Sequence, residues 1–145
     1  MNVRKYFSEE NELEITEAIR AAELNTSGEI RVHIEKRCKG DVLERAAYIF
    51  EKLQMHKTEL RNGVLFYLAI EDHKYAILGD AGINQKVQED FWVETKDIMA
   101  GYFKEGKHSS ALSGGIEMAG DKLKVYFPRE SGDINELPDE ISFGD

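Results

Sequence analysis

Three oxygen-bearing side chains stand directly beside predicted strands, where they are well placed to bind a cation. Glu29 begins the segment EIRVHIE, Asn62 precedes the apolar run VLFYLAI, and Asp80 follows the segment YAILG. Carboxylate and amide oxygens are the ligands that calcium and magnesium prefer in proteins. We therefore predict that these three residues form a divalent-cation site, to which the Ser27 hydroxyl and loop carbonyls can add further oxygens.

Motifs for other kinds of chemistry are missing. Cys38 is the single cysteine, and six residues separate it from Arg45, one more than in the loop of cysteine phosphatases. The sequence contains no Asp-x-Asp pair, phosphate-binding loop, Gly-x-Ser-x-Gly elbow or EF-hand loop. The four histidines do not show the spacing of zinc ligands, and we interpret His33 as an ordinary polar residue. Any hydrolysis would therefore depend on a metal ion.

Hydrophobic periodicity predicts the elements that position the three residues. Alternation in EIRVHIE indicates a strand with one polar face, and the uniformly apolar VLFYLAI indicates a strand buried on both faces. The predicted elements are a helix over Ser8–Leu24, strands over Glu29–Glu35, Val64–Ile70 and Tyr75–Gly79, a helix from Asp41 to about His56, one or two helices within Ile83–Lys104, and a final helix from about Ser109.

This order predicts the fold and the meeting point of the site residues. A strand, helix and strand joined by short loops imply a right-handed parallel crossover, and the turn at Glu71–Lys74 makes the next strand antiparallel. The predicted class is α/β, a three-layer α/β/α sandwich with a mixed sheet that is Rossmann-like in general layout. The first two strands then begin at the end of the sheet where the third strand finishes, which brings Glu29, Asn62 and Asp80 together.

Composition excludes several partners. The formal net charge is -9, from 28 acidic and 19 basic residues, which argues against binding to nucleic acid. No apolar run approaches the roughly 20 residues that span a bilayer, so we expect no membrane insertion. No secretory signal is recognisable at Met1–Phe7, and we therefore expect a cytoplasmic location.

We predict a single domain over residues 1–127, followed by an acidic, flexible tail over residues 128–145. The tail contains six carboxylates and one arginine, together with Pro, Gly and Ser, and cannot bury enough apolar surface to order itself alone. Two interpretations remain open, a solvated spacer, which we favour, and a segment that folds on a partner. The second rests on the interspersed apolar residues Ile134, Leu137, Ile141 and Phe143.

Three segments resemble the TPM-domain family: SGEIRVHI, RNGVLFYLAIEDHKYAILGDAGI and YFKEGKHSSALSGGI. The family includes thylakoid-lumen proteins and many bacterial proteins, and the resemblance covers about Ile15 to Phe127. It implies an α/β/α sandwich, binding of a divalent cation, often calcium, and a proposed acid phosphatase activity. The positions that match the family pattern are Gly28, Asn62, Gly63, Gly79, Asp80 and Gly82.

Each proposed ligand also has an ordinary structural interpretation. Asp80 can cap the following helix, and Asn62 can occupy a left-handed turn. Glu29 can pair with Arg31 or Arg61 in solvent. These interpretations require no metal ion.

Two functions follow from the site and from the resemblance. We expect a divalent-cation-binding domain, with calcium or magnesium as its cofactor, that serves as an interaction or assembly module for an unidentified protein partner. The alternative is a metal-dependent phosphatase of low activity, in which Arg61 contacts the phosphate ester. The sequence assigns no catalytic residue, and both functions place a cation at the same end of the sheet.

Overall fold

The computed structural model describes residues 3–130 and 135–144. The helices are α1 (Glu9–Asn25), α2 (Val42–Lys52), α3 (Ala81–Asn84), α4 (Val93–Lys104) and α5 (His108–Tyr126). The strands are β1 (Glu29–Glu35), β2 (Gly63–Ala69), β3 (Lys74–Gly79) and β4 (Ser142–Phe143). Short 3-10 helices cover Val3–Tyr6 and Met55–Lys57. The chain thus alternates helices and strands in the predicted order, with one strand added at the end.

Side-chain caps set the starts of two helices. The Ser8 side chain accepts a hydrogen bond from the Asn11 amide and Asp41 from the Glu44 amide, which satisfies amides that have no partner within the helix. α2 ends earlier than predicted because Gln54 adopts a left-handed conformation, with φ of 59°, and the chain continues as a 3-10 turn. Within the described ranges, no helix is both long and apolar enough to cross a bilayer.

The sheet has the strand order β3-β2-β1-β4. β1 and β2 are parallel, with Glu29 opposite Gly63, and β2 and β3 are antiparallel, with Val64 opposite Gly79. The predicted parallel pairing of the first two strands and the predicted hairpin are therefore confirmed. The starts of β1 and β2 and the finish of β3 lie at one end of the sheet. The fourth strand, β4, runs parallel to β1 and was not predicted.

Two apolar cores sandwich the sheet, as alternate residues of β2 show. Val64, Phe66 and Leu68 belong to the core beneath α1, α4 and α5, whereas Leu65 and Tyr67 belong to the core beneath α2. α1 and α5 pack closely, since a Cβ atom on Gly120 would lie 2.7 Å from the Ala22 Cβ. These layers confirm the predicted α/β/α sandwich.

The C-terminal segment differs from the predicted spacer. Leu137 and Ile141 are each 8% exposed, and Ser142–Phe143 pair with β1 opposite His33 and Ile34. The outer edge of β1 offers backbone groups that need partners, and the segment supplies some of them. Residues 135–144, called the tail below, therefore pack on their own domain, while Ile134 lies outside the described residues.

Candidate functional site

The structure brings the three predicted ligands to one end of the sheet. The Glu29 amide donates to the Asn62 carbonyl at 3.2 Å, and the Asp80 amide donates to the Gly63 carbonyl at 2.9 Å. The three residues are 4%, 2% and 7% exposed, respectively, for Glu29, Asn62 and Asp80. Asn62 Nδ2 donates to the Ser27 hydroxyl at 3.4 Å, which places these two oxygen-bearing side chains side by side. The predicted meeting point therefore exists, while a metal ion at it stays a prediction.

Asp80 is occupied by protein donors. Its two carboxylate oxygens accept hydrogen bonds from Arg61 Nε and Nη2 at 2.7 and 2.8 Å, and one of them also accepts from the Ala81 amide. Asp80 is thus the N-cap of α3, as its structural interpretation supposed. Arg61, not Asn62, takes the left-handed conformation, with φ of 52°. Asp80 would have to release Arg61 in order to bind a cation through both oxygens.

Gly82 allows the loop before β2 to touch the start of α3. A Cβ atom at this position would lie 2.1 Å from the Leu60 carbonyl oxygen, which is too close for any side chain. The Gly82 amide donates to the Arg61 carbonyl at 2.8 Å. The glycine therefore helps to hold Arg61 beside Asp80, which is a structural task.

Glu29 contacts the tail. Its Oε1 accepts hydrogen bonds from the backbone amides of Glu136 and Leu137, the second at 3.0 Å. Its Oε2 is buried and has no hydrogen-bond partner among the described residues. Burial raises the pKa of Glu29, and the nearby carboxylates of Glu136 and Asp139 raise it further, although the two amide donors oppose this. Within the described ranges, Glu29 thus binds tail amides instead of either predicted arginine partner.

Glu23, at the end of α1, is a second buried carboxyl group at this end of β1. It is 6% exposed, and its Oε2 accepts a hydrogen bond from the Ile30 amide at 3.2 Å. Burial raises the pKa of Glu23 to about 9, and a hydrogen bond with Asp139 of the tail raises it as well. Glu23 is therefore protonated at neutral pH, and its side chain is hydrogen-bonded to that of Asp139.

No three Asp, Glu, His or Cys side chains in residues 3–130 and 135–144 are arranged to hold a metal ion together. Cation binding at this end of the sheet would thus need amide, hydroxyl, carbonyl or water oxygens beside one or two carboxylates. Magnesium is bound by proteins in that way, with several waters retained.

The opposite end of β1 holds a different carboxylate cluster. Glu35 is 2% exposed, and Arg45 binds both of its oxygens at 2.8 and 2.9 Å. The Tyr67 hydroxyl also donates to Glu35, and His33 Nε2 lies 3.2 Å from Oε1. Burial alone would raise the pKa of Glu35, but hydrogen bonds from Arg45, His33 and Tyr67 outweigh it and hold that pKa well below its usual range. Glu35 is therefore ionised and fully paired.

His33 links this cluster to the tail. Its Nδ1 lies 2.8 Å from the Ser142 hydroxyl, and its ring stacks on Tyr67 with centroids 6.1 Å apart. The ring is buried, at 5% exposure, because the tail covers the polar face of β1 that the sequence left open to solvent. Both ends of β1 thus bind the tail.

Sequence reasoning missed the buried carboxyl groups, although one left a signal. Ile15, Ile19 and Glu23 recur every four residues along α1, which places Glu23 on the buried stripe of the helix. Leu13, expected on that stripe, is instead 51% exposed. Glu35 had no such signal, because its partner Arg45 comes from a different element.

The arrangement matches a known family. The sequence profile of the TPM domain matches residues 2–122. This chain belongs to the TPM-domain family. The match confirms the resemblance, and the tail lies beyond the matched residues.

Solved structures agree with this assignment. The chain is similar to the BA42 protein of the psychrophilic bacterium Bizionia argentinensis, with 48% identity, 98% of each chain covered and a TM-score of 0.93. It shares its fold with an N-terminal domain from P. gingivalis, at 15% identity, a TM-score of 0.68 and coverage of 83% of this chain and 78% of that one. The N-terminal domain of cg2496 from Corynebacterium glutamicum gives 14% identity, a TM-score of 0.67 and coverage of 91% and 81%. None of the curated proteins matches the sequence.

Proposed function

We propose that this TPM domain binds a divalent cation, calcium or magnesium, beside Glu29 and serves as an interaction module. The supporting observation is the buried Oε2 of Glu29, which has no hydrogen-bond partner among the described residues. A buried polar atom without a partner costs free energy, and a carboxylate among other carboxylates costs more. A cation at Oε2 would supply the missing partner and offset the repulsion from Glu136 and Asp139.

The ligand set follows from which oxygens at this end of the sheet are not already bound to protein donors. Glu29 supplies a carboxylate oxygen, and Asn62, with the neighbouring Ser27 hydroxyl, supplies neutral oxygens at the same end of the sheet. Asp80 joins the set only if Arg61 moves away, since Arg61 occupies both of its oxygens. With so few protein charges, the remaining ligands would be waters, and we expect weak binding.

The test is a titration of the isotopically labelled chain with calcium and then magnesium, following every backbone amide. We expect shifts at Gly28–Ile30, Arg61–Gly63 and Glu136–Leu137, and at least tenfold weaker binding in Glu29→Gln. Asp80→Asn decides whether the third predicted ligand takes part, because only a ligand role would weaken binding there. Glu71→Gln, which changes a partly exposed carboxylate paired with Arg37, is the matched control. Unchanged affinity in Glu29→Gln, or no shift at Glu29, would overturn the proposal.

Metal-dependent phosphatase activity is the second candidate. The observation in its favour is the Arg61 side chain, which is 49% exposed beside Asp80 and can reach a phosphate ester. This function requires that the Glu29→Gln and Asp80→Asn variants no longer hydrolyse p-nitrophenyl phosphate, while their amide spectra remain those of a folded protein. Activity that persists in both variants would exclude this site as its source.

A further inference from the structure

The outer edge of β1 is only partly paired. The tail adds a strand of two residues, Ser142–Phe143, and the Gly144 amide donates to the Ile34 carbonyl at 2.8 Å. Nearer the start of β1, the Ile30 amide is bound by the side chain of Glu23 instead of by a neighbouring strand. A strand edge of this kind is where proteins receive extended peptides from other chains.

The tail shows what this edge accepts. Glu29 binds two successive backbone amides, those of Glu136 and Leu137, which any peptide can offer. Leu137 packs into the core beneath α2, and Ile141 packs into the core on the other side of the sheet. Ser142 binds His33. These contacts define an occupant that pairs as a strand at its end, bends at Leu137 and Glu140, and anchors one apolar side chain on each side of the sheet.

The charges of the tail fit this groove poorly. Asp139 meets Glu23, and Glu136 lies near Glu29, so acidic side chains of the tail face acidic side chains of the domain. Asp139 is partly compensated by the exposed Arg20, whose Nε lies 3.9 Å from the Asp139 Oδ2. The buried Oε2 of Glu29 has no hydrogen-bond partner among the described residues. A basic side chain in place of Glu136 or Asp139 would form an ion pair with Glu29 or Glu23, respectively.

We propose that the edge of β1, together with Glu23 and Glu29, is a groove for a segment of a partner protein. The segment carries Lys or Arg where the tail has Glu136 and Asp139, and apolar side chains where the tail has Leu137 and Ile141. The chain's own tail fills the groove until such a segment displaces it. This inference rests on the proposed interaction function and names the chemistry of its partner.

Competition with the tail makes the groove selective. A tethered segment competes at an effective concentration in the millimolar range, so a free peptide of equal intrinsic affinity displaces it poorly. Two ion pairs, with Glu23 and Glu29, would give a basic segment the additional affinity that it needs to displace the tail. Acidic segments, like the tail itself, gain none.

The experiment uses the labelled full chain in EDTA and two synthetic peptides spanning residues 135–144. One peptide has the native sequence, and the other carries E136K and D139K. We expect the basic peptide to bind at least tenfold more tightly, to shift the amides of Glu29–Ile34, and to move the tail amides toward free-peptide positions. Ile141→Ser in the full chain weakens tail docking, so both peptides should bind that variant about tenfold more tightly.

Variants of the groove distinguish electrostatic recognition from non-specific binding. Glu23→Gln and Glu29→Gln should each reduce the preference for the basic peptide to less than threefold, whereas the control Glu71→Gln should leave it unchanged. The proposal is overturned if neither peptide binds the Ile141→Ser chain, if both bind it equally, or if the shifts lie away from β1. Because EDTA removes divalent cations, failure here is independent of the cation titration.

Discussion

The two ends of β1 each hold buried carboxyl groups, but the side chains around them differ and shift their pKa values in opposite directions. At the start of the strand, Glu23 and Glu29 face acidic tail residues, and their pKa values are raised. At its finish, Glu35 faces Arg45, Tyr67 and His33, and its pKa is lowered. Burial raises the pKa of all three groups and is the largest influence on each of them. The donors around Glu35 outweigh it, whereas the carboxylates of the tail add to it at Glu23 and Glu29.

The difference distinguishes two kinds of cluster. The finish of β1, around Glu35, is a structural end, whereas its start, around Glu23 and Glu29, is a receptive end that can still bind a ligand. Both carboxylate oxygens of Glu35 accept hydrogen bonds from protein donors, so Glu35 has no unpaired oxygen with which to bind a ligand. Glu29 keeps one buried oxygen without a partner among the described residues, and Glu23 depends on a proton. The start of β1 is therefore the end at which a cation or a basic side chain would gain most.

Removing the charge at the structural end should have the largest effect. Glu35→Gln breaks the bidentate pair with Arg45, and we expect the free energy of unfolding to fall by about 3 kcal/mol at pH 7, near the low end for buried pairs because Arg45 reaches water. Chemical denaturation measures it. Because the pKa of Glu35 is lowered in the folded state, its contribution is present above the pKa of the unfolded chain and is lost at lower pH. Glu71→Gln should change stability by less than about 0.5 kcal/mol.

Removing the titratable group at the start of β1 should have the opposite effect on stability. Glu23→Gln keeps a neutral hydrogen-bonding group and needs no proton, so we expect it to raise the free energy of unfolding by about 2 kcal/mol at pH 6. Below about pH 4.5, where both states of the wild type hold the proton, the two proteins should converge. Denaturation at the two pH values tests this. A destabilised variant at pH 6 would contradict the comparison.

The wild type should lose stability as pH rises from about 4.5 to about 9. Glu23 holds its proton up to about pH 9 when folded but releases it near 4.5 when unfolded. The folded state thus binds more protons in this window, and we expect about 1 kcal/mol less stability at pH 8 than at pH 7. Tail amides around Asp139 should shift with an apparent pKa of about 9. The absence of both effects in Glu23→Gln would assign them to this residue, and their persistence there would refute the assignment.

The hydrogen bond between His33 and Ser142 should contribute least. Ser142→Ala removes one neutral bond that holds the tail, and we expect a loss of about 1 kcal/mol in the free energy of unfolding. The changes in NMR chemical shift should be largest at the His33 ring nitrogens and at the tail amides, and the amides of α4 should not shift. An unaltered His33 spectrum would mean that the two side chains do not interact in solution.

Local patterns in the sequence determined the body of the fold. Alternation placed β1 at Glu29–Glu35 without error, and the apolar run placed β2 within one residue, because these patterns reflect burial on one or two faces. The parallel crossover and the hairpin then followed from short connections. The gathering of Glu29, Asn62 and Asp80 at one end of the sheet was predictable for the same reason, since it depends only on strand direction.

Contacts between distant segments were decided by the tertiary structure alone. Glu35 meets Arg45, and Glu23 meets Asp139 far along the chain, so no periodicity within either segment reports the pairing. The tail has too few apolar residues to order itself. It packs because β1 offers an open edge, two carboxyl groups and a histidine, and because the two cores of the domain receive Leu137 and Ile141. Composition describes what a segment can do alone, whereas the protonation and availability of its charged groups depend on what it is packed against.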